Sequence, residues 1–309
     1  MEEFKEANSN KGYLLALTAG IGWGLVNIFV KILADLNFDC MFISAIRPTI
    51  AVVFLIIISI IKDRSIFKTD LKGIFIFMVY GIFALDGMFL GTSYAVKYTN
   101  IATAAVLLFT NPIFSTIIAY FLFKEKITIK KIIALVLALI GCVLVVKAYD
   151  IEALKLNLTG IMWGIGSGVA VALQNIIGKI SLKNNYNRKT HLIYSFLFAT
   201  IFLWCFVTPA AMKVQFNLQS IIILALLGTI GTLIPSLSIM KALEYIEASK
   251  ASIISSVELV IATILGYIIF KESLDVFQII GMLLIVSSIL LIQSQGNVSN
   301  KRGKTKIAV

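Results

Sequence analysis

The feature that most constrains this chain is a succession of ten long apolar runs, at about residues 13–32, 41–61, 73–95, 101–123, 130–148, 160–180, 190–209, 219–241, 250–270 and 276–293. Each is close to the roughly 20 residues that a helix needs to cross the hydrocarbon core of a bilayer. No water is present there to satisfy a bare backbone, so a run of this length must bond to itself as a helix. Only 14% of the residues are charged, against about a quarter in a soluble domain, so the chain cannot make a water-facing surface from them. The gaps are too short for a soluble domain, and residues 295–309, with Lys301, Arg302, Lys304 and Lys306, read as a disordered basic tail.

The net charge of +11 raises nucleic acid as a partner only until the basic residues are placed. With the N-terminus in the cytoplasm, 20 of the 27 Lys and Arg fall in cytoplasmic segments and six in outer ones. That bias orients a membrane protein, with both termini inside and an even number of helices. No basic stripe with interleaved aromatics is present, so nucleic acid is excluded as a partner. The polar start, Met1 to Lys11, lacks the features of a cleaved signal, so the first run is expected to stay as a membrane helix. Cys40, Cys142 and Cys205 are widely spaced and support neither a disulfide framework nor a zinc site.

The two halves of the chain match. At a spacing of 148, Gly12, Ala16, Gly20 and Gly24 fall on Gly160, Gly164, Gly168 and Ala172, Asn27 on Asn175, and Lys31 on Lys179. At a spacing of 147, Tyr98 falls on Tyr245, Ala104 on Ala251, and Phe123-Lys124-Glu125 on Phe270-Lys271-Glu272. Five helices per half is an odd number, so the second copy enters the membrane from the other side, as in transporters with inverted repeats. The expected fold is therefore an all-α membrane protein of ten transmembrane helices. They form two inverted five-helix repeats, residues 11–148 and 158–294, with both termini cytoplasmic.

The stretch from Tyr94 to Val146, with Asn111-Pro112 and Phe123-Lys124-Glu125, resembles the EamA repeat of the drug/metabolite transporter superfamily. Met240 to Ile292, with Tyr245, Ala251, Glu258 and Phe270-Lys271-Glu272, resembles it again. The resemblance implies ten helices with both termini inside and transport of metabolites, often outward. The expected location is the plasma membrane of a bacterium, and a homodimer is a candidate assembly. One departure is Leu259 after Glu258, where many members carry proline.

Candidate site residues follow from the cost of polarity in lipid. A charge at the centre of a spanning helix costs about 2.5–3.5 kcal/mol on insertion scales, so Arg47, Asp86 and Glu258 should face a cavity or a partner. Under the repeat they fall on Ser195, Leu233 and Asn111, so they are not shared scaffold and read as specific to substrate or coupling. Arg47 and Asp86 lie at similar depth on consecutive antiparallel helices, which predicts that they pair or face one cavity. Asn111, Trp23, Asn27 and Asn175 complete the candidate set. Pro112 and Pro235 remove helix hydrogen bonds in mid-membrane and are candidate hinges. The Lys124-Glu125 and Lys271-Glu272 pairs end helices on opposite sides and read as interfacial stops. His191, the lone histidine, reads as structural.

These observations favour a secondary transporter, an exporter by resemblance, moving small organic metabolites such as amino acids by alternating access, with its site near mid-membrane between the repeats. The sequence has no GxxxxGK[ST] loop, and no cofactor or metal is expected. A membrane-embedded enzyme would need a catalytic constellation that one histidine at the membrane edge does not supply. A non-transporting receptor or assembly factor leaves the repeat and the buried charges without a use. The topology predicts that a cysteine placed at Asn300 is labelled by impermeant maleimide only from inside, and one at Lys213 only from outside. Labelling of both from one side would rule the ten-helix arrangement out.

Overall fold

The computed structural model describes residues 2–62, 64–149, 157–208 and 216–305. They form the helices α1 (Glu2–Asp35), α2 (Cys40–Lys62), α3 (Leu71–Tyr98), α4 (Ile101–Phe123) and α5 (Ile129–Val145). After these come α6 (Leu158–Lys183), α7 (Arg188–Trp204), α8 (Leu218–Ala242), α9 (Ala248–Phe270) and α10 (Val276–Thr305). No strand occurs among the described residues. Eight of these helices are long and apolar enough to cross a membrane. The other two, α5 and α7, have 17 residues each. The apolar part of α10 ends at Ser294, but the helix runs on to Thr305 into the stretch expected to be a disordered tail. No proline interrupts it, and extending an existing helix adds one hydrogen bond for each residue fixed.

Helix starts follow local capping chemistry. The side chains of Asp70, Asn100, Thr128, Asn157, Asn187 and Asn217 accept hydrogen bonds from the first-turn amides of α3, α4, α5, α6, α7 and α8. Asp70 also accepts from the Tyr186 hydroxyl at 2.6 Å, and that bond and the one from Gly73 hold its carboxyl below the usual range. The expected stops at Lys124 and Lys271 are left-handed turns, both with φ 56°, which send the next amide back to Ala119 and Gly266 respectively. That backward bond closes a helix end. Glu125, however, does not sit at a wet interface, because it is 7% exposed.

Packing crosses between the halves. Helix α1 lies on α8 and α9, α6 lies on α3 and α4, α2 on α7, and α5 on α10. The small-residue ladders permit this. A Cβ added at Gly24 would lie 2.9 Å from the Glu258 carbonyl of α9, and one at Gly168 would lie 2.7 Å from the Leu107 carbonyl of α4. His191 is fully buried, edge-on to Phe77 and Tyr80 with centroids 5.0 and 4.4 Å away.

Four of the helices are irregular where the cavity lies. Helix α4 breaks after Leu108 and restarts at Asn111, and α9 breaks after Ser255 and restarts at Val257. Helices α3 and α8 each contain a π turn, Tyr80–Asp86 and Thr229–Leu233. Pro235 follows the second of these within the first turn of the resumed helix, where its missing N–H costs least. The expectation from this packing is that Gly168→Leu destabilises the protein by about 1–3 kcal/mol through overpacking against α4. A thermal melt in detergent should show it, while the same change at Gly166, whose added Cβ meets nothing within 4 Å, should leave the melt unmoved.

Candidate functional site

A cavity of about 490 Å³ lies between the halves. Its rim includes Cys40, Val96 and Ile101, at the start of α2, the end of α3 and the start of α4. Its floor is formed where α4 and α9 break, by Asn111, Ser255, Ser256 and Glu258. Trp23, Phe89, Phe109 and Phe196 supply aromatic wall, and Asn27, Gln174, Thr232 and Ser236 supply polar wall. A smaller cavity, about 300 Å³, lies among the connections near Ile66, Tyr186 and Glu244 and contains none of the candidate residues.

The break in α4 is built by Asn111 and Pro112. Proline has no N–H to give to the Leu108 carbonyl. The Asn111 side-chain amide donates to that carbonyl instead, at 3.1 Å. Its oxygen accepts from the Ser252 hydroxyl of α9 at 2.6 Å. One amide thus satisfies a backbone orphan and ties the two broken helices together. Glu258 occupies the matching place, in the first turn after the α9 break, and half-buried it faces the cavity.

Arg47 reaches into the cavity from α2. Its Nε donates to the Thr232 hydroxyl at 3.2 Å, and its guanidinium carbon lies 4.8 Å from the centre of the Phe89 ring. Thr232 in turn donates to the Leu227 carbonyl within the irregular part of α8. Arg47 and Glu258 line the same cavity. A cation and a carboxylate, both partly free in one aromatic-walled space, can hold the two ends of a zwitterion.

Of the candidate residues, Trp23, Asn27, Arg47, Asn111 and Glu258 line this cavity. Asp86, Asn175, Pro112 and Pro235 do not. Asp86 is fully buried, and neither carboxylate oxygen has a hydrogen-bond partner among the described residues. It makes no ion pair with Arg47 and does not line the cavity that Arg47 lines, so neither the pair nor the shared cavity expected from depth is formed. The π turn that ends at Asp86 adds a residue to the helical turn, which rotates the remainder of the helix by about 100° relative to an α-helical count. Asn175 is buried beside the lining residue Gln174, whose amide donates to the Ala84 carbonyl of α3 at 3.0 Å. Gln174, Thr232 and Phe89 were missed by sequence reasoning. On α6 the expected and the observed lining differ by one residue, Asn175 against Gln174, which is about 100° on a helix.

Eight membrane-length helices, with no strand among the described residues and a largely apolar cavity carrying a few polar groups between the halves, define a multi-pass membrane protein. The model of the EamA-like transporter family matches it twice, over residues 10–147 and 158–294, and the chain belongs to that family. It is 28% identical to an uncharacterized transporter of Clostridium kluyveri, over 94% of this chain and 95% of that one. It is also 28% identical to YicL, an uncharacterized inner membrane transporter of Salmonella typhimurium, over 92% and 96%. An S-adenosylmethionine uptake transporter of Rickettsia bellii is 24% identical over 90% and 94%. A solved crystal structure shares the fold, with a TM-score of 0.79 at 14% identity, covering 93% of this chain and 98% of that one. The protein is thus a transporter of the cell membrane, and neither the family nor these relatives carry the name of an enzyme.

Replacing the carboxylate by an amide should separate function from folding. Glu258→Gln is expected to lower transport about tenfold, the scale of one hydrogen bond to a charged group. Its melting temperature should stay near that of the parent. Parental transport rates at every pH tested would remove Glu258 from the site.

Proposed function

We propose that this protein is a secondary transporter that carries small zwitterionic metabolites, with an amino-acid-like head and an apolar or aromatic body, by alternating access. The observation that carries this reading is the placement of Arg47 and Glu258 in one aromatic-walled cavity at the breaks of α4 and α9. Arg47 takes the substrate carboxylate, Glu258 takes its cationic group, and Trp23, Phe89 and Phe109 take its body. Asn27 and Asn111 supply neutral hydrogen bonds. Asp86 and Asn175, buried behind the lining, act on coupling through α3 and α6 and not by contact.

Ten membrane crossings in two inverted repeats, residues 11–148 and 158–294, support the mechanism, with both termini and the 295–309 tail in the cytoplasm. The cross-packing supports this symmetry, because α1 meets α8 and α9 as α6 meets α3 and α4. The π turns support it too: Gly87 donates to the Ile82 carbonyl and, 147 residues on, Ile234 donates to the Thr229 carbonyl. Pro112 and Pro235 mark hinges at the irregular points. On this orientation the cavity mouth at Cys40, Val96 and Ile101 faces outside. A carrier driven by gradients runs in either direction. The reading therefore does not depend on export, and the relatives named for S-adenosylmethionine are named for uptake. S-adenosylmethionine itself has the amino-acid head and aromatic body of the proposed class.

Counterflow in proteoliposomes tests the reading. Vesicles preloaded with one of a panel of large neutral amino acids, or with S-adenosylmethionine, should accumulate the labelled form transiently. Arg47→Ala should abolish the overshoot while neutral sugars and nucleosides give none. Accumulation of non-zwitterions that is unaffected by Arg47→Ala would defeat the assignment.

A further inference from the structure

On the face opposite the cavity mouth, four elements meet in a buried charged cluster. Glu125, at the end of α4, is 7% exposed, and Lys131 of α5 is 1% exposed. The Glu125 carboxylate accepts from the Lys179 ammonium of α6 at 3.2 Å and from the Ala248 backbone amide at 2.9 Å. It also accepts from the backbone amide and the hydroxyl of Ser249. Lys131 donates to Ser249 and to Glu247, each at 2.8 Å. The carboxylate is therefore docked on the first amides of α9, which have no side-chain cap from Glu247. Ala248 is fully buried at this contact.

The same parts recur on the mouth side, undocked. Lys31 pairs with Glu272 as Lys179 pairs with Glu125. Lys31 lies over the Phe270 ring at 4.0 Å, as Lys179 lies over Phe123 at 5.6 Å. Lys124 and Lys271 share φ 56°. Yet the Glu272 side chain is 54% exposed, and its hydrogen bond is to Lys31. The residues that match Ala248 and Ser249 at the spacing of 147 are Ile101 and Ala102, the first residues of α4. Ile101 is 76% exposed and lines the mouth. Asn100 caps the Thr103 amide, and no acceptor is placed on the Ile101 and Ala102 amides among the described residues. The first amides of any helix need such a partner.

We infer that Glu125 and Glu272 are reciprocal latches, each closing one face by docking on the N-terminal amides of the broken helix of the other repeat. Glu125 holds α9 in the state seen here. Glu272 docks on the Ile101 and Ala102 amides of α4 in the opposite state, when Glu125 lets go. The Lys–Glu pairs stay formed in both states, so the lysines aim the carboxylates and the docking decides which face is shut. The cluster around Glu125 has an asymmetry that sets the resting state. Lys131 and Ser249 match Gln278 and Ala102, which cannot reproduce its charge or its hydroxyl. The outward-open state is thereby favoured at rest. This inference rests on the alternating-access reading above.

Two cysteine reporters in the full-length protein, with Cys40 and Cys205 changed to serine, test it. Val96→Cys reads access from outside, and its repeat partner Leu243→Cys reads access from inside. Glu125→Gln should speed labelling at the Leu243→Cys reporter about tenfold, since hydrogen bonds to a charged group are lost from one state only, and slow it to a smaller extent at the Val96→Cys reporter, which reads the major state. Glu272→Gln should slow labelling at the Leu243→Cys reporter by a similar factor. If Glu125→Gln fails to fold, Ser249→Ala should give a weaker shift of the same sign. Reporters that do not move, or that move together, overturn the latch when both label in the parent protein during transport. A Leu243→Cys reporter that never labels from inside, even in the transporting parent, overturns alternating access itself and the latch with it.

Discussion

The structure depends on how two helices are interrupted in the middle of a medium that cannot hydrogen-bond. A break in lipid leaves amides and carbonyls that must find partners within the protein. At the break of α4 the partner is the Asn111 side chain, which takes the Leu108 carbonyl and is itself fixed by Ser252 of α9. The two interruptions are thereby joined, and residues that would lie inside a continuous helix line a cavity. The polar floor at Asn111, Ser256 and Glu258 results from this, as does the depth of the site.

Close backbone contact keeps the interrupted helices in place without covering the floor. Gly24 allows α1 to approach the Glu258 carbonyl, and Gly168 allows α6 to approach the Leu107 carbonyl. Each first helix of one half therefore supports the broken helix of the other half. In a membrane such contacts rest on van der Waals packing rather than on expulsion of water, so small residues matter more than apolar ones. Smooth faces of this kind also let two arrangements of the same helices be close in energy, which a carrier requires.

Charge is distributed in two ways. Arg47 and Glu258 are kept partly free in the cavity, where a ligand can complete their pairing. Glu125, Lys131 and Lys179 are saturated by one another, by Ser249 and by backbone groups. A buried ion pair seldom adds much net stability, because desolvation offsets the attraction. Its stronger effect is on the arrangement it permits, since removing one partner leaves a buried charge bare. The cluster at Glu125 is accordingly a means of selecting one arrangement of α4, α6 and α9.

The apolar runs, their lengths and the Lys and Arg bias made the membrane class and the helix order legible in the sequence, because a bilayer imposes those requirements on each segment separately. The doubled Gly ladders and Phe-Lys-Glu stretches exposed the repeat, and the polar residues at Arg47, Asn111 and Glu258 pointed to the cavity. Facing was a different matter. Asp86 lies out of the lining and Gln174 lies in it in place of Asn175, because the π turn and the helix rotation are set by neighbouring helices. The burial of Glu125 was equally invisible, for its partners Lys131, Lys179 and Ser249 are brought together only by the crossing of four elements. The sequence alone determined which segments must be helical and marked the chain as a membrane protein, through local hydrophobic length. Tertiary packing alone decided which side of each helix meets the cavity, because rotation about a helix axis costs nothing until another helix lies against it.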